Sequence, residues 1–319
     1  MYPVWAPNGA HFATSNDAGA VVYDADGKSV AQSRLYVFDW FDDMHLIGLH
    51  VQTGAAEIFD ITDQQSRVID LPHTADWVSS NGDGVAAFSW ARDNDWPDTH
   101  YNYFVWHDDA VTQAHDGYGQ AWSDDGSKLA LYHQFKDVRE PNGWLSVVSW
   151  PDLKPLYVGG PPVAADDVAF DPSSSYIAFN TDTGDTPCSG TRPESAKPSD
   201  RIVDLDTGTM VDIPTDNTGC FYWTTDSEFA VLQADGSLLT YQPDGTLVST
   251  AQDSFTACVE SGDDSTDAFW SFGDSSLRVV HDGHNSDYQA PDDPWHVYLS
   301  TDGSQIVVEA NYQTYFQRL

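Results

Sequence analysis

The sequence predicts an all-β protein built from repeated antiparallel units, and three observations support that prediction. A short phrase recurs along the chain, its copies are spaced for units of four short strands, and no stretch keeps the apolar period of a helix. The 319 residues therefore form one repeating domain.

The clearest copy of the phrase is AWSDDGSKLALYH at residues 121–133. Asp124, Asp125 and Gly126 favour a tight turn, because Asp hydrogen-bonds nearby backbone groups and Gly accepts a positive φ. Leu129 and Leu131 then lie on one face of the strand that follows. The phrase predicts a mostly buried β-hairpin.

The same spacing, an anchor seven positions before an apolar residue, returns through the chain. Close copies are WAPNGAHFAT from Trp5, FDPSSSYIAF from Phe170, WSFGDSSLRVV from Trp270 and LSTDGSQIVV from Leu299. Looser copies begin at Trp40, Trp77 and Trp223. Each copy indicates one structural unit.

The distance between anchors predicts a β-propeller. Successive aromatic anchors from Trp5 to Trp270 lie 35 to 53 residues apart, which is typical of propeller blades with four short strands. We expect seven four-stranded antiparallel blades with these aromatic anchors in equivalent places. The expected bounds are approximately 1–34, 35–72, 73–115, 116–160, 161–214, 215–252 and 253–319.

The end of the chain leaves the blade number open. The interval from Trp270 to Leu299 is short, so we interpret residues 295–300 and 305–310 as the outer strands of the seventh blade. An eight-bladed ring with an incomplete last unit is the competing count. No spare N-terminal strand is apparent that would close the ring.

The phrase W-S-x-D-G-x-x-L-A, followed by an apolar strand and a turn such as VDLDTG at 203–208, resembles the WD-like repeat of TolB-type β-propellers. The resemblance covers nearly the whole chain. It implies the fold, whereas related propellers act as docking platforms, as gating domains of peptidases and as enzymes.

The charge restricts the partners. The chain carries 50 acidic against 13 basic residues, a net charge of −37, which repels nucleic acids and anionic lipid headgroups. Cations relieve such self-repulsion by screening, so the excess fits either a halophilic adaptation or an extracellular setting with divalent cations. In the first case the melting temperature should rise with potassium chloride. No segment has the length and apolarity of a membrane span, so we expect no membrane insertion.

No signal peptide is evident. The chain is expected to be extracellular or periplasmic if a signal peptide was removed, or otherwise in the cytoplasm of a salt-adapted organism.

Three cysteines, Cys188, Cys220 and Cys258, fall late in the chain. Cys188 and Cys220 should approach one face of adjacent blades, and a disulfide between them is expected, with Cys220 to Cys258 as the alternative.

Long insertions predict where a partner binds. They lie at 91–101, 133–143, 181–200 and 281–294, each interpreted as a loop between the second and third strands of a blade. Such loops would extend one face of the ring. The binding site is expected to use His100, His133, Arg139, Arg192 and His284, with Asp95 and Asp98 at its rim.

The insertions and the residue that follows them hold six of the 13 basic residues, a local reversal of sign that suggests a protein partner or a small anionic ligand. The plain alternative is that these Arg and Lys side chains tether the loops to nearby Asp residues.

No catalytic residue, metal ligand or cofactor is predicted. His281 and His284 are metal-ligand types without diagnostic spacing, and DADG at 24–27 resembles only a fragment of a calcium loop. A divalent cation such as calcium stays an alternative. No G-x-S-x-G or phosphate-loop motif occurs.

The sequence therefore favours a non-catalytic binding module that uses the loop-rich face. The alternatives are a hydrolase or lyase with His and Asp at the channel mouth, and the propeller domain of a larger peptidase.

Overall fold

The chain folds into a ring of four-stranded antiparallel sheets, which confirms the predicted all-β propeller. The computed structural model describes residues 3–91, 100–115, 117–134, 143–159, 168–180, 199–215, 221–224, 226–233, 235–252, 257–260, 266–270, 276–281, 284–289, 294–300, 303–310 and 313–318. Within these ranges there are seven four-stranded blades and one further sheet of three strands. They contain no helix, and hence none long and apolar enough to cross a membrane.

The first four blades each run from an inner to an outer strand in chain order. Blade one contains β1 (Pro3–Trp5), β2 (His11–Asn16), β3 (Gly19–Asp24) and β4 (Ser29–Ser33). Blade two contains β5 (Leu35–Asp42), β6 (His45–His50), β7 (Ala56–Asp60) and β8 (Gln65–Val68). Blade three contains β9 (Trp77–Ser80), β10 (Val85–Ala91), β11 (His100–His107) and β12 (Ala110–His115). Blade four contains β13 (Tyr118–Trp122), β14 (Lys128–Gln134), β15 (Gly143–Ser149) and β16 (Pro155–Val158).

The next three blades follow the same order. Blade five contains β17 (Val168–Phe170), β18 (Tyr176–Asn180), β19 (Ser199–Asp204) and β20 (Met210–Pro214). Blade six contains β21 (Phe221–Trp223), β22 (Phe229–Leu232), β23 (Ser237–Tyr241) and β24 (Leu247–Gln252). Blade seven contains β25 (Ala257–Glu260), β26 (Thr266–Trp270), β27 (Ser276–His281) and β28 (His284–Gln289).

A three-stranded C-terminal sheet follows blade seven. It contains β29 (Pro294–Leu299), β30 (Gln305–Ala310) and β31 (Gln313–Arg318). Residues 253–319, expected as one blade, thus hold two sheets, and the assignment of 295–300 and 305–310 to the outer strands of blade seven is wrong.

The C-terminal sheet brings the two ends of the ring together. Its Val297 and Ile306 pack into one apolar cluster with Trp270 of blade seven. On its other side, Gln305 Nε2 donates a hydrogen bond of 3.4 Å to the carbonyl oxygen of Gly9 in blade one. The ring is therefore completed by the C-terminal sheet and needs no spare N-terminal strand.

The seven-residue spacing has a direct structural meaning, since it places two residues opposite each other across a hairpin. Trp5 pairs with Phe12, Trp122 with Leu129, Phe170 with Ile177, Trp270 with Leu277 and Leu299 with Ile306. The copy at Trp270 nevertheless joins the second and third strands of its blade, whereas the others join the first and second. Trp270 is therefore not equivalent to the other anchors.

The acidic turn of the phrase is held by its own side chains. In blade four, Asp125 Oδ1 accepts the Ser127 N–H at 3.0 Å and the Ser123 hydroxyl at 2.7 Å. Partial burial raises the pKa of Asp125, but these hydrogen bonds together outweigh it and bring the pKa to about 2. Gly126 takes a φ of 67°, which favours glycine.

The tryptophan anchors join neighbouring blades. The indole N–H of Trp40 donates to the Val4 carbonyl at 2.8 Å, and that of Trp223 donates to the Ala169 carbonyl at 3.2 Å. In each case the acceptor lies on the first strand of the preceding blade. Together with shared apolar clusters at successive blade interfaces, these bonds fix the order of the ring.

Alternating strand directions define two faces of the ring. We call the loop face the one that carries the connections between second and third strands and between blades. The hairpin face carries the connections between first and second and between third and fourth strands.

Candidate functional site

Three of the long insertions join strands whose ends lie on the loop face. They connect β10 to β11, β14 to β15 and β18 to β19, the second and third strands of three consecutive blades. Residues 92–99, 135–142 and 181–198 themselves lie outside the described residues. The ends of the flanking strands nevertheless show that all three loops leave the same face of blades three, four and five.

Two of the expected binding residues lie at the roots of these loops. His100 begins β11 opposite Ala91, and His133 lies near the end of β14 opposite Trp144. The His133 ring stacks on Trp144 at 4.9 Å and 5°, and its Nε2 lies 2.6 Å from the Ser146 hydroxyl. The sheet therefore holds this imidazole in one orientation at the base of the second insertion.

Four of the remaining expected residues, Arg139, Arg192, Asp95 and Asp98, belong to the three insertions and lie outside the described residues, as do Cys188 and Cys220 of the expected disulfide.

The position of the fourth insertion, which contains His284, is corrected by the strand order. His284 begins β28, so residues 281–284 join the third and fourth strands of blade seven on the hairpin face. The shifted hairpin of blade seven is the reason, and His284 does not share a face with His100 and His133.

A first cleft, which we call the paired cleft, lies between blades two and three. It has a volume of about 290 Å³ and its lining includes Phe41, Asp42, His45, Ile58, Asp60, Asp63, Gln65, Ser66, Arg67 and Trp106. Asp42 and Asp60 end strands at the hairpin face, so the cleft lies opposite the expected site.

The polar side chains of the paired cleft contact one another. His45 Nδ1 lies 2.8 Å from Asp42, and its Nε2 lies 3.5 Å from Asp60 Oδ2. The pKa of Asp60 is lowered, chiefly because its carboxylate accepts the Thr62 N–H at 2.6 Å. Arg67 lies over the Trp106 ring at 5.2 Å and forms an ion pair with Asp109.

A second cleft, the open cleft, lies on the other side of blade two, against blade one. It has a volume of about 580 Å³ and is lined by Ala18, Gln32, Ser33, Arg34, His50, Glu57, Phe59, Gln64 and Ser66. Glu57 is only 7% exposed. Within the described residues, neither its carboxylate nor the Arg34 guanidinium has a hydrogen bond or ion pair.

Sequence reasoning missed Glu57, although the chain contains a signal for it. In the strand AEIFD, Glu57 is a charged residue between apolar neighbours, and it is one of six glutamates against 44 aspartates. Many aspartates are explained by turns, in which Asp hydrogen-bonds the nearby backbone. A glutamate inside a strand has no such explanation.

The described residues contain no group of three or more His, Cys, Asp or Glu side chains that could hold a metal ion. The turn at 24–27, which resembles a calcium fragment, uses Asp24 to accept the N–H groups of Asp26 and Lys28 at 3.1 and 2.9 Å. That carboxylate serves the hairpin turn.

Comparison with known proteins identifies the fold and no family. No family model matches the chain, and no curated protein matches it in sequence. Solved structures do match. A eukaryotic initiation factor superposes with a TM-score of 0.63 and 14% identity, covering 96% of this chain and 80% of that one.

Two other matches are informative. Dipeptidyl peptidase 4 of Porphyromonas gingivalis gives a TM-score of 0.63 at 13% identity, covering 96% of this chain but 55% of the peptidase. A β-propeller domain from Myceliophteria thermophila gives 0.55 at 11% identity, covering 100% and 96% of the two chains. The chain is thus a β-propeller, and its neighbours include a peptidase as well as proteins of other kinds.

Proposed function

We propose that this propeller is a binding module of the TolB-like or WD-like kind, and that its partner binds the loop face at blades three to five. The observation that supports this proposal is that three consecutive blades each carry a long insertion between strands whose ends lie on that face. Long loops on a rigid scaffold are a common place for recognition, because they vary without disturbing the packed sheets.

The chemistry of the insertions suggests the partner. Arg139 and Arg192 interrupt an otherwise acidic sequence, and Arg presents a planar set of donors that matches carboxylate and phosphate groups. The partner is a protein or a small anionic ligand. His100 and His133 at the loop roots, with Asp95 and Asp98 at the rim, complete the proposed site.

The test is a titration of the purified protein with citrate and with phosphate, followed by calorimetry. Arg139→Ala and Arg192→Ala should weaken anion binding, and they should leave the melting temperature nearly unchanged because both residues fall between the strands of their blades in the sequence. Arg67→Ala on the hairpin face is the matched control, since it removes the same charge. Binding that survives both loop substitutions but is lost in the control would refute the assignment.

A protein partner is tested with the same variants. A protein captured by the wild type and by Arg67→Ala should be lost when Arg139 and Arg192 are both replaced. Capture that is equal for all variants would place the contact elsewhere.

The second candidate is the propeller of a larger peptidase, favoured by the partial coverage of the Porphyromonas gingivalis enzyme. Reading the gene beyond the codon for Leu319 tests it, because an attached hydrolase domain would carry the nucleophile. A hydrolase or lyase site at the channel mouth has less support. The His–Asp–Asp group that the described residues contain lies instead in the paired cleft on the hairpin face.

A further inference from the structure

Glu57 is a buried acid that has no hydrogen-bond or ion-pair partner within the described residues. Glu57 is 7% exposed and lies in β7, paired with Gly48 of β6 on one side and Val68 of β8 on the other. Phe59, two residues later on the same side of the strand, packs against blade one, so Glu57 faces the same blade interface. A buried carboxylate is normally paired, because removing it from water without a partner is costly.

Arg34 is a basic residue that has no ion pair within the described residues. Among the described residues, Arg67, Arg201 and Arg278 each form an ion pair with an aspartate. Arg34 forms none, in a chain with a net charge of −37. Arg34 lines the same cleft as Glu57, and its guanidinium could bind an anion there.

The other polar groups of the open cleft are suited to hydrogen bonding. His50 Nδ1 accepts the Gln52 N–H at 3.2 Å, so its Nε2 can act as a donor in the neutral ring. Gln32 and Gln64 add amides that both donate and accept. The volume of about 580 Å³ is in the range of small-molecule sites.

These features define the ligand by its chemistry. An anionic group suits Arg34, and a cationic donor suits Glu57. A metal ion is a poor match for the cation, because it needs several oxygen ligands and the described residues contain no such group. We propose that the open cleft binds a small organic zwitterion with a free ammonium and a free carboxylate, as in an amino acid or a short peptide.

The experiment uses glycine, diglycine and triglycine as probes, because the series varies the separation between the two charges. Binding is measured by calorimetry and by the shift in melting temperature. One member should bind best. Its N-acetylated and C-amidated forms should each bind at least about tenfold more weakly, which is the loss of affinity expected for one charged hydrogen bond.

Variants assign the two ends of the ligand. Glu57→Gln should abolish the preference for a free ammonium, and Arg34→Gln should abolish the preference for a free carboxylate. Glu228→Gln is the matched control, since Glu228 accepts a hydrogen bond from Gln242 at 2.7 Å in blade six. This control should bind the peptide as the wild type does.

Three results would overturn the proposal: no binding of any probe at millimolar concentration, equal binding of free and blocked peptides, or unchanged preferences in both variants. If Glu57→Gln failed to fold, the blocked peptides with the wild-type protein would still decide. Arg139→Ala and Arg192→Ala test the proposed binding site at blades three to five, whereas Glu57→Gln and Arg34→Gln test the open cleft. Failure of one proposal is therefore distinguishable from failure of the other.

Discussion

The two clefts beside blade two use their charges in opposite ways. In the paired cleft, His45 lies between two aspartates and Arg67 is bound to Asp109, so the side chains satisfy one another. In the open cleft, Arg34 and Glu57 have no such partners among the described residues. The difference separates charges that serve the fold from charges that are available to a ligand.

The paired cleft is also part of the blade packing. Trp106 is 9% exposed, belongs to the apolar cluster between blades two and three, and contacts Phe41 edge to face. In the open cleft, the charged residues line the wall and Phe59 supplies the apolar packing. Substitutions in the first cleft should therefore change stability, and substitutions of the charges in the second should change binding.

The largest expected effect is that of Trp106→Ala. Removing this ring leaves a cavity between two blades, and the free energy of unfolding should fall by about 3–5 kcal/mol. Urea denaturation measures the loss. Arg67→Ala is the control, because it removes the cation above the ring and keeps the ring itself. A loss below about 1 kcal/mol would mean that Trp106 is not part of the core.

The next effect concerns Asp39, whose carboxylate joins blades two and three by accepting the Ser80 N–H at 2.9 Å. Burial raises the pKa of Asp39 from 3.8 to about 6, and the N–H groups of Ser80 and Trp40 offset only part of this. Between these two pH values the folded protein keeps a proton that the unfolded chain releases. The free energy of unfolding should therefore fall by about 2–3 kcal/mol as the pH rises through this window.

Asp39→Asn checks this pH dependence, because the variant lacks the titrating group. The difference in unfolding free energy between wild type and variant should change from about pH 4 to pH 6 and level off above it. Asp125, with its pKa of about 2, loses its contribution at lower pH and does not obscure the window. A constant difference would show that Asp39 titrates normally.

A matched pair of neutral substitutions tests the comparison between the clefts directly. Glu57→Gln removes a buried charge that has no partner within the described residues, so it should leave the free energy of unfolding unchanged or raise it by less than about 0.5 kcal/mol. Asp42→Asn removes a carboxylate 2.8 Å from His45 and should lower it by about 0.5 kcal/mol, a small loss since the pair is half-exposed. Shifts of the same sign in thermal melts would contradict the distinction drawn here.

The smallest effect is expected at the exposed ion pair of Arg67 and Asp109, whose side chains are 59% and 70% exposed. Asp109→Asn should change the free energy of unfolding by less than about 0.5 kcal/mol, because water already screens this pair. Melting curves in low and in molar potassium chloride provide the measurement. Any difference should disappear at high salt, and a difference that persists would indicate a stronger interaction.

Much of the fold could be predicted from the hairpin phrase, because its information is local. The seven-residue spacing places Trp122 opposite Leu129, and Asp125 with Gly126 makes the turn between them. The same logic placed three insertions on one face. It did not locate the hairpin within blade seven, because one hairpin has the same local chemistry whether it joins strands one and two or strands two and three.

The sequence by itself therefore determined the all-β class, the repeating unit and the turns, since these depend on residues within about ten positions of each other. The tertiary structure decided how the ring closes, through Gln305 and Gly9, which lie at opposite ends of the chain. It also decided which charges are paired. Arg34 and Glu57 face one cleft because blades one and two pack together, and whether a charge is enclosed or exposed depends on that packing.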